Sequence, residues 1–265
     1  MVEFKVLGPL EISSEDQAWR LSAPRQRQIM GLLLLNANQI VDIDSLMVEL
    51  WGDNPPKSAL TTIQTYIYQL RRFFDHEPAL PSGDELFVTR PPGYLISVPE
   101  EQVDVFAFRR LVTEGRAHAA AGRPEEASVR LRQALDLWSG HPLTDVVPGR
   151  MLEAHLAGLE EARMRALELR IEADLEIGRG HDLIGELRFL VATNPLNEWF
   201  HGRLMEALCQ VGRRNEALGA YQELHAALDR ELGLEPSREL RQLQYRMLHA
   251  QGPRRRSSRV SVGAA

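Results

Sequence analysis

Residues 60–74 read L-T-T-I-Q-T-Y-I-Y-Q-L-R-R-F-F. Leu60, Ile63, Ile67, Leu70 and Phe74 recur at helical spacing and predict one apolar stripe on an amphipathic helix of about four turns. The opposite side carries Thr61, Gln64, Thr65, Tyr68 and Arg72, with Thr62 beside them and no acid. A solvated helix face is ordinarily rich in Glu and Lys. Thr, Gln, Tyr and Arg instead suit base edges, thymine methyls and phosphates. The segment reads as a DNA recognition helix, against the alternative of a core helix with a neutral outer face.

The flanking sequence supplies what such a helix needs. V-E-F-K-V-L, L-E-I and A-W-R-L, broken by Gly8-Pro9, predict three short strands within residues 2–21. Pro24 opens a helix over 24–35, because proline is tolerated at the first helical position. Ile40-Val41 suggests a short extended piece. Asp42 or Asp44 can cap a second helix over 43–51, and Gly52-Asp53-Asn54-Pro55-Pro56 turns the chain into the third, over about 57–75. Helices two and three form a helix-turn-helix unit. E-L-F-V-T-R-P-P-G-Y-L-I-S-V then predicts two strands around a stiff Arg90-Pro91-Pro92-Gly93 tip, which is the hairpin of a winged helix.

From Val103 onward strand signals vanish and Ala, Leu, Glu and Arg recur with a 3.6-residue period. Helices are predicted over about 104–121, 124–138, 148–178, 182–193, 196–211, 214–231 and 236–250. Gly122-Arg123-Pro124-Glu125-Glu126-Ala127 resembles Gly212-Arg213-Arg214-Asn215-Glu216-Ala217, and Gly180 opens another helix. Glycine turns between paired helices at this rough period suit tetratricopeptide-like repeats. The predicted architecture is therefore an α+β winged helix-turn-helix domain over residues 1–98. An all-α repeat domain follows over 99–250, then a disordered Arg-rich tail over 251–265, where four Arg stand in a segment unable to build a core.

Composition narrows the function classes. An apolar content of 44% suits a folded chain. The single Cys209 excludes an internal disulfide and reads as a small buried hydrophobe. The scattered histidines show no metal spacing, and no phosphate loop, nucleophile elbow or catalytic carboxylate motif is present. An enzyme is not expected, nor a cofactor or metal. No apolar run approaches membrane-spanning length, so a soluble, cytoplasmic, nucleoid-associated protein is expected. The net charge of −6 runs against nucleic acid. Residues 1–100 hold eight Lys and Arg against thirteen Asp and Glu, so DNA binding there requires local placement of charge.

The chain resembles the Streptomyces antibiotic regulatory protein family. The resemblance rests on Ala23-Pro24-Arg25, Leu50-Trp51-Gly52-Asp53 with Pro55-Pro56, Gln64-Thr65-Tyr66 with Leu70-Arg71-Arg72, and Thr89-Arg90-Pro91-Pro92-Gly93-Tyr94. Asp104 with Phe106 and Phe108, residues 135–138, Asn194-Pro195-Leu196 with Glu198, and Glu231-Leu232-Gly233-Leu234-Glu235-Pro236 resemble the family's bacterial transcriptional activation domain. The likeness covers about residues 1–250. It implies a winged helix like that of two-component output domains and binding to direct repeats in promoter DNA. It also implies recruitment of RNA polymerase holoenzyme with its sigma factor, usually at secondary-metabolite gene clusters. The chain resembles the small, stand-alone members.

Thr61, Thr62, Gln64, Thr65 and Tyr68 are expected to meet base edges in the major groove. Gln64 can pair bidentately with adenine, and Thr methyls can pack on thymine methyls. Lys57, Arg71 and Arg72 are expected on phosphates, and Arg90 in the adjacent minor groove or on the backbone. Arg25 and Arg27 are either backbone contacts or plain surface charges. The repeats implied by the resemblance suggest a second copy bound head to tail, one helical turn away. Alternatives are a repressor on the same fold, or an interaction scaffold that binds no DNA.

Overall fold

The computed structural model describes residues 1–14 and 17–249. The expected tail over 251–265 lies outside the described residues. Two compact units emerge, one through Ala173 and one from Asp174 onward.

The first unit opens with an antiparallel sheet of β1 (Glu3–Lys5), β2 (Glu11–Ser13) and β3 (Ala18–Trp19), with Phe4 opposite Ile12 and Ile12 opposite Trp19. Helix α1 (Pro24–Leu35) follows, started by Pro24, and its stretch from Gln28 to Leu35 is buried. Strand β4 (Val41–Asp42) leads into α2 (Ile43–Trp51), which Asp42 caps by accepting the Ser45 N–H at 2.7 Å. Helix α3 (Ala59–Asp75) and the short α4 (Gly83–Leu86) come next, and then the hairpin of β5 (Phe87–Arg90) and β6 (Gly93–Ile96). Strand β6 lies between β4 and β5 in a second antiparallel sheet. There Asp42 pairs with Gly93, and a Cβ at Gly93 would stand 1.9 Å from the Val41 carbonyl oxygen. Only glycine fits that crossing, which explains the Pro-Pro-Gly-Tyr motif sterically. The Leu-Trp-Gly-Asp motif divides its tasks similarly. Trp51 packs half-buried on the core, Gly52 adopts a positive φ of 62°, and Asp53 pairs with Arg150 at 3.3 Å.

Phe74 organises the centre of this unit. It meets Phe87 edge-on at 5.5 Å between ring centroids, and Phe73 and Phe4 at 5.5 and 6.4 Å. The same core continues without a break into α5 (Asp104–Ala120), α6 (Pro124–Leu135) and the start of α7 (Arg150–Glu176), ending at Ala173. Packing thus groups the chain differently from the motif boundary at residue 98. Val103 bridges Phe4 in parallel, and the Asp104 carboxylate accepts the Val6 and Leu7 N–H groups at 3.0 Å. Phe108 and Trp138 meet edge to face at 5.2 Å, and the Arg163 guanidinium covers Trp138.

Asp104 carries a pH signature. Burial pushes its carboxyl up to about 6, and the N–H groups of Leu7, Val6 and Val105 only partly oppose that. A raised folded-state pKa means the folded chain holds this proton more tightly than the unfolded one. The resulting stability is complete below the ordinary carboxylate pKa and is lost as pH rises through about 6. Relative to Asp104→Asn, the natural chain should therefore lose up to about 3 kcal/mol of unfolding free energy between pH 4 and pH 7. Urea denaturation of both proteins across that range measures it. A pH-independent difference would show that Asp104 does not titrate there.

The second unit contains α8 (Gly180–Thr193), α9 (Glu198–Gln210), α10 (Arg214–Leu232) and α11 (Arg238–His249), packed in sequence order. Among the described residues, left-handed glycines stand at the helix-to-helix turns at Gly122, Gly178, Gly212 and Gly233, with φ of 66°, 78°, 78° and 64°. The turn glycine before α8 is Gly178 rather than Gly180. It lies 34 residues before Gly212, the tetratricopeptide period. Gly180 instead starts α8 at close quarters, where a Cβ would come within 2.5 Å of the Gln210 side chain. Cys209 is half-buried rather than fully enclosed, and burial raises its thiol pKa. Among the described residues no helix is long and apolar enough to cross a membrane.

Candidate nucleic-acid interface

Helix α3 buries Ala59, Ile63, Ile67, Leu70 and Phe74. Leu60, expected in that stripe, is exposed, and Ala59 takes its place. Each residue turns an α-helix by about 100°. Ala59 and Leu60 flank the arc shared by Ile63, Ile67, Leu70 and Phe74 on opposite sides, each about 20° beyond its edge, so spacing alone does not choose between them.

Thr61, Thr65, Tyr68 and Arg72 form an exposed row opposite the buried stripe, at spacings of three or four residues. Tyr68 is 57% exposed, so this face of the helix is wet. Arg72 closes the row by donating to the Tyr68 hydroxyl at 3.4 Å and to His76 Nε2 at 3.1 Å. With Nε2 accepting, His76 Nδ1 donates to the Arg72 carbonyl. Sequence reading missed His76, because it stands just past the helix. It also missed Gln69, which is exposed on the flank facing α1 and accepts from Gln26 at 2.8 Å. Gln64 is exposed on the other flank, two turns before Arg71.

The expected residues do not all reach this surface. Thr62 is half-buried, and its hydroxyl donates to the Ser58 carbonyl at 2.9 Å. The Thr65 hydroxyl likewise donates to the Thr61 carbonyl, which leaves its methyl and lone pairs for a partner. Arg71 is turned to the wing. It donates from Nε to the Phe87 carbonyl at 3.1 Å and from Nη2 to that oxygen and to Thr89 Oγ1, and it pairs with Asp84 at 3.2 Å. Its side chain is only 24% exposed, so it is a strut between α3 and β5 rather than a free phosphate ligand.

Arg25 donates to Gln28 Oε1 and to the Leu50 carbonyl, at 2.9 and 2.7 Å, and so fastens α1 to the end of α2. Arg27 is turned toward Asp145, 3.9 Å away. Arg27 is thereby half-buried against Asp145, while Arg25 stays exposed with its guanidinium held by neutral acceptors. Lys57 and Arg90 are exposed, at the start of α3 and at the wing tip, and make no ion pair among the described residues.

Several nearby acids are engaged, whereas Asp44 and Glu85 stand exposed without an ion-pair partner among the described residues. Asp42 caps α2, and Asp75 accepts the Gly83 N–H at 2.8 Å. Asp84 faces Arg71, and Asp53 faces Arg150. Glu49 is buried at 2% exposure. The acidic sum of residues 1–100 therefore does not describe the outer row of α3, where Thr, Tyr and Arg stand without a carboxylate. What remains is a polar ridge with hydrogen-bond donors, acceptors and methyls, flanked by a braced wing with a cationic tip. That geometry can read a groove and grip its phosphates.

Comparison with known proteins places this geometry in context. Residues 17–96 match the model described as "Transcriptional regulatory protein, C terminal", and residues 103–248 match "Bacterial transcriptional activator domain". The chain is 42% identical over 252 residues to the regulatory protein DnrI of Streptomyces peucetius, covering 94% of this chain and 93% of that one. It is 33% identical over 249 residues to the regulatory protein AfsR of Streptomyces griseus, but spans only 25% of its length. The solved structure of Mycobacterium tuberculosis EmbR, in complex with a low affinity phosphopeptide, superposes with a TM-score of 0.86 at 32% identity. That match covers 95% of this chain and 66% of EmbR.

Proposed function

The chain belongs to the Streptomyces antibiotic regulatory protein family of transcriptional regulators, and from that premise we propose that it is a sequence-specific DNA-binding activator. Residues 1–98 make the DNA contact. Helix α3 enters the major groove of a promoter direct repeat, with a second copy on the adjoining repeat. Residues 99–250 carry the activation role by engaging RNA polymerase holoenzyme in the cytoplasm, at a secondary-metabolite gene cluster.

One observation carries this reading: the exposed, acid-free row of Thr61, Thr65, Tyr68 and Arg72 beside a wing that Arg71 braces. Gln64 and Tyr68 supply base-edge chemistry, and Thr61 and Thr65 supply methyls. Lys57, Arg72 and Arg90 supply phosphate contacts. The scaffold alternative draws on the acidic sum of residues 1–100, but Asp42, Asp53, Asp75 and Asp84, among those acids, are engaged as a cap, ion-pair partners and a hydrogen-bond acceptor.

Footprinting on promoters neighbouring its own gene tests the reading, followed by in vitro transcription with holoenzyme. Protected direct repeats and raised transcript are expected. Repression in the same assay would reverse the sign, and no protection on any such promoter would favour the scaffold. Gln64→Ala should relax base preference at one position in each repeat, at about 1–3 kcal/mol of discrimination, and leave nonspecific binding nearly intact. Uniform weakening across all sequences would make Gln64 a packing residue.

A further inference from the structure

Arginine is distributed unevenly over the second unit. Arg179, Arg188, Arg203, Arg213 and Arg230 each face a carboxylate, and Arg214 is also engaged. Among the described residues the other three, Arg238, Arg241 and Arg246, all stand on α11, are exposed, and make no ion pair. Leu240, Leu243 and Met247 seat the helix on its neighbours. The outward side then carries Arg238, Arg241, Gln242, Tyr245 and His249, with Arg246 at its edge. Tyr245 is 62% exposed and stacks on His249 at 3.9 Å between ring centroids. Glu239 is the helix's only acid. A helix that merely solubilises the end of a repeat array would mix both signs. This one presents unpaired arginines interleaved with an aromatic ring and an amide.

We propose that the outer side of α11 is a second nucleic-acid contact, which grips the phosphate backbone of duplex DNA without reading sequence. The inference rests on the regulator reading only for the presence of duplex DNA. Phosphate is favoured over an acidic protein segment for two reasons. The shelf formed by Arg238, Arg241, Gln242, Tyr245 and Arg246 is open, with no enclosed recess to seat an anchoring side chain. The deeper recess beside it, between α9 and α11, has Glu198, Glu206 and Glu239 in its lining with Arg203 and Arg246, which disfavours an acidic side chain entering it, whereas a duplex is too wide to enter and meets only the open shelf. A phosphate backbone needs only exposed, unpaired cations.

The test is the salt dependence of binding by the full chain to a random-sequence duplex. Each neutralised phosphate contributes about 0.9 to the slope of log K against log salt. Substituting Arg238→Ala, Arg241→Ala and Arg246→Ala together should lower that slope by about two to three, and Arg→Lys at the same positions should restore it. If the alanine protein melts early by circular dichroism, Arg→Gln at the three positions gives the same measurement. An unchanged slope, with Arg72→Ala still lowering it, overturns this contact and leaves the regulator reading standing. Competition by a poly-glutamate peptide as effective as DNA of equal charge overturns it in favour of an acidic protein partner. Failure of the natural chain to bind any duplex overturns both.

Discussion

Replacing Glu49 with Ala should lower folding stability by about 3–5 kcal/mol. Both Glu49 carboxylate oxygens are fully used. Oε1 accepts from Gln28 Nε2 at 2.8 Å and from the Gly149 N–H at 2.7 Å. Oε2 accepts the Met151 and Leu152 N–H groups at 3.0 and 2.9 Å. Three of these four donors are backbone amides at the start of α7, where a helix has unpaired N–H groups and a positive dipole end. The methyl of alanine leaves the buried Leu152 amide and the part-buried Gly149 and Met151 amides without this acceptor, at about 1–3 kcal/mol each before water enters. The backbones are also too close for compensation by bulk: a Cβ at Gly149 would stand 1.9 Å from the Glu49 carbonyl oxygen. Glu49→Gln keeps one acceptor oxygen and aims an amide at an N–H group, so it should fall between the two. Urea denaturation at pH 7 measures both. A loss below about 1 kcal/mol for Glu49→Ala would mean that solvent replaces the carboxylate freely.

Arg71 and Arg72 should give opposite phenotypes although they are neighbours. Arg71→Ala removes the donors to the Phe87 carbonyl and Thr89 hydroxyl, and should destabilise the fold by about 1–3 kcal/mol. Arg72→Ala removes an exposed side chain whose partners are Tyr68 and His76, and should leave stability within about 0.5 kcal/mol of the natural chain. On duplex DNA, Arg72→Ala should lower the salt slope by about 0.9, the signature of one phosphate. Thermal melts paired with salt titrations separate the two. Arg71→Ala with full stability would dissolve the strut, and Arg72→Ala with an unchanged slope would remove Arg72 from the interface.

The contrast shows where sequence reading stops. In residues 60–74 both arginines stand in the last turns of a helix, and by spacing alone both read as phosphate ligands. Only one rotation step separates them, yet that step turns Arg71 onto β5, a strand sixteen residues further along the chain. Periodicity shows which side of a helix is apolar, but not what stands beside its flanks. The same limit explains Arg25 and Arg27, whose partners Leu50 and Asp145 are distant in sequence. It also explains Gln69, which gained meaning only from Gln26 on α1. Helix α4 has four residues, too few for any 3.6-residue pattern to register.

The element order, the bounds of α1 and α2, the wing and the run of helices after Val103 were legible in the chain alone, because capping, proline placement and apolar spacing act over a few neighbouring residues. The family was legible because its motifs are short segments of fixed residue order, although Gly93 and Asp53 within them answer to Val41 and Arg150, distant in sequence. Which charges face water was settled only when distant segments met. Glu49 entered the start of α7, Asp104 took the amides of Val6 and Leu7, and Arg71 bound the wing. Burial makes a carboxylate or guanidinium seek hydrogen-bond partners wherever the fold brings them, and no local pattern encodes that meeting.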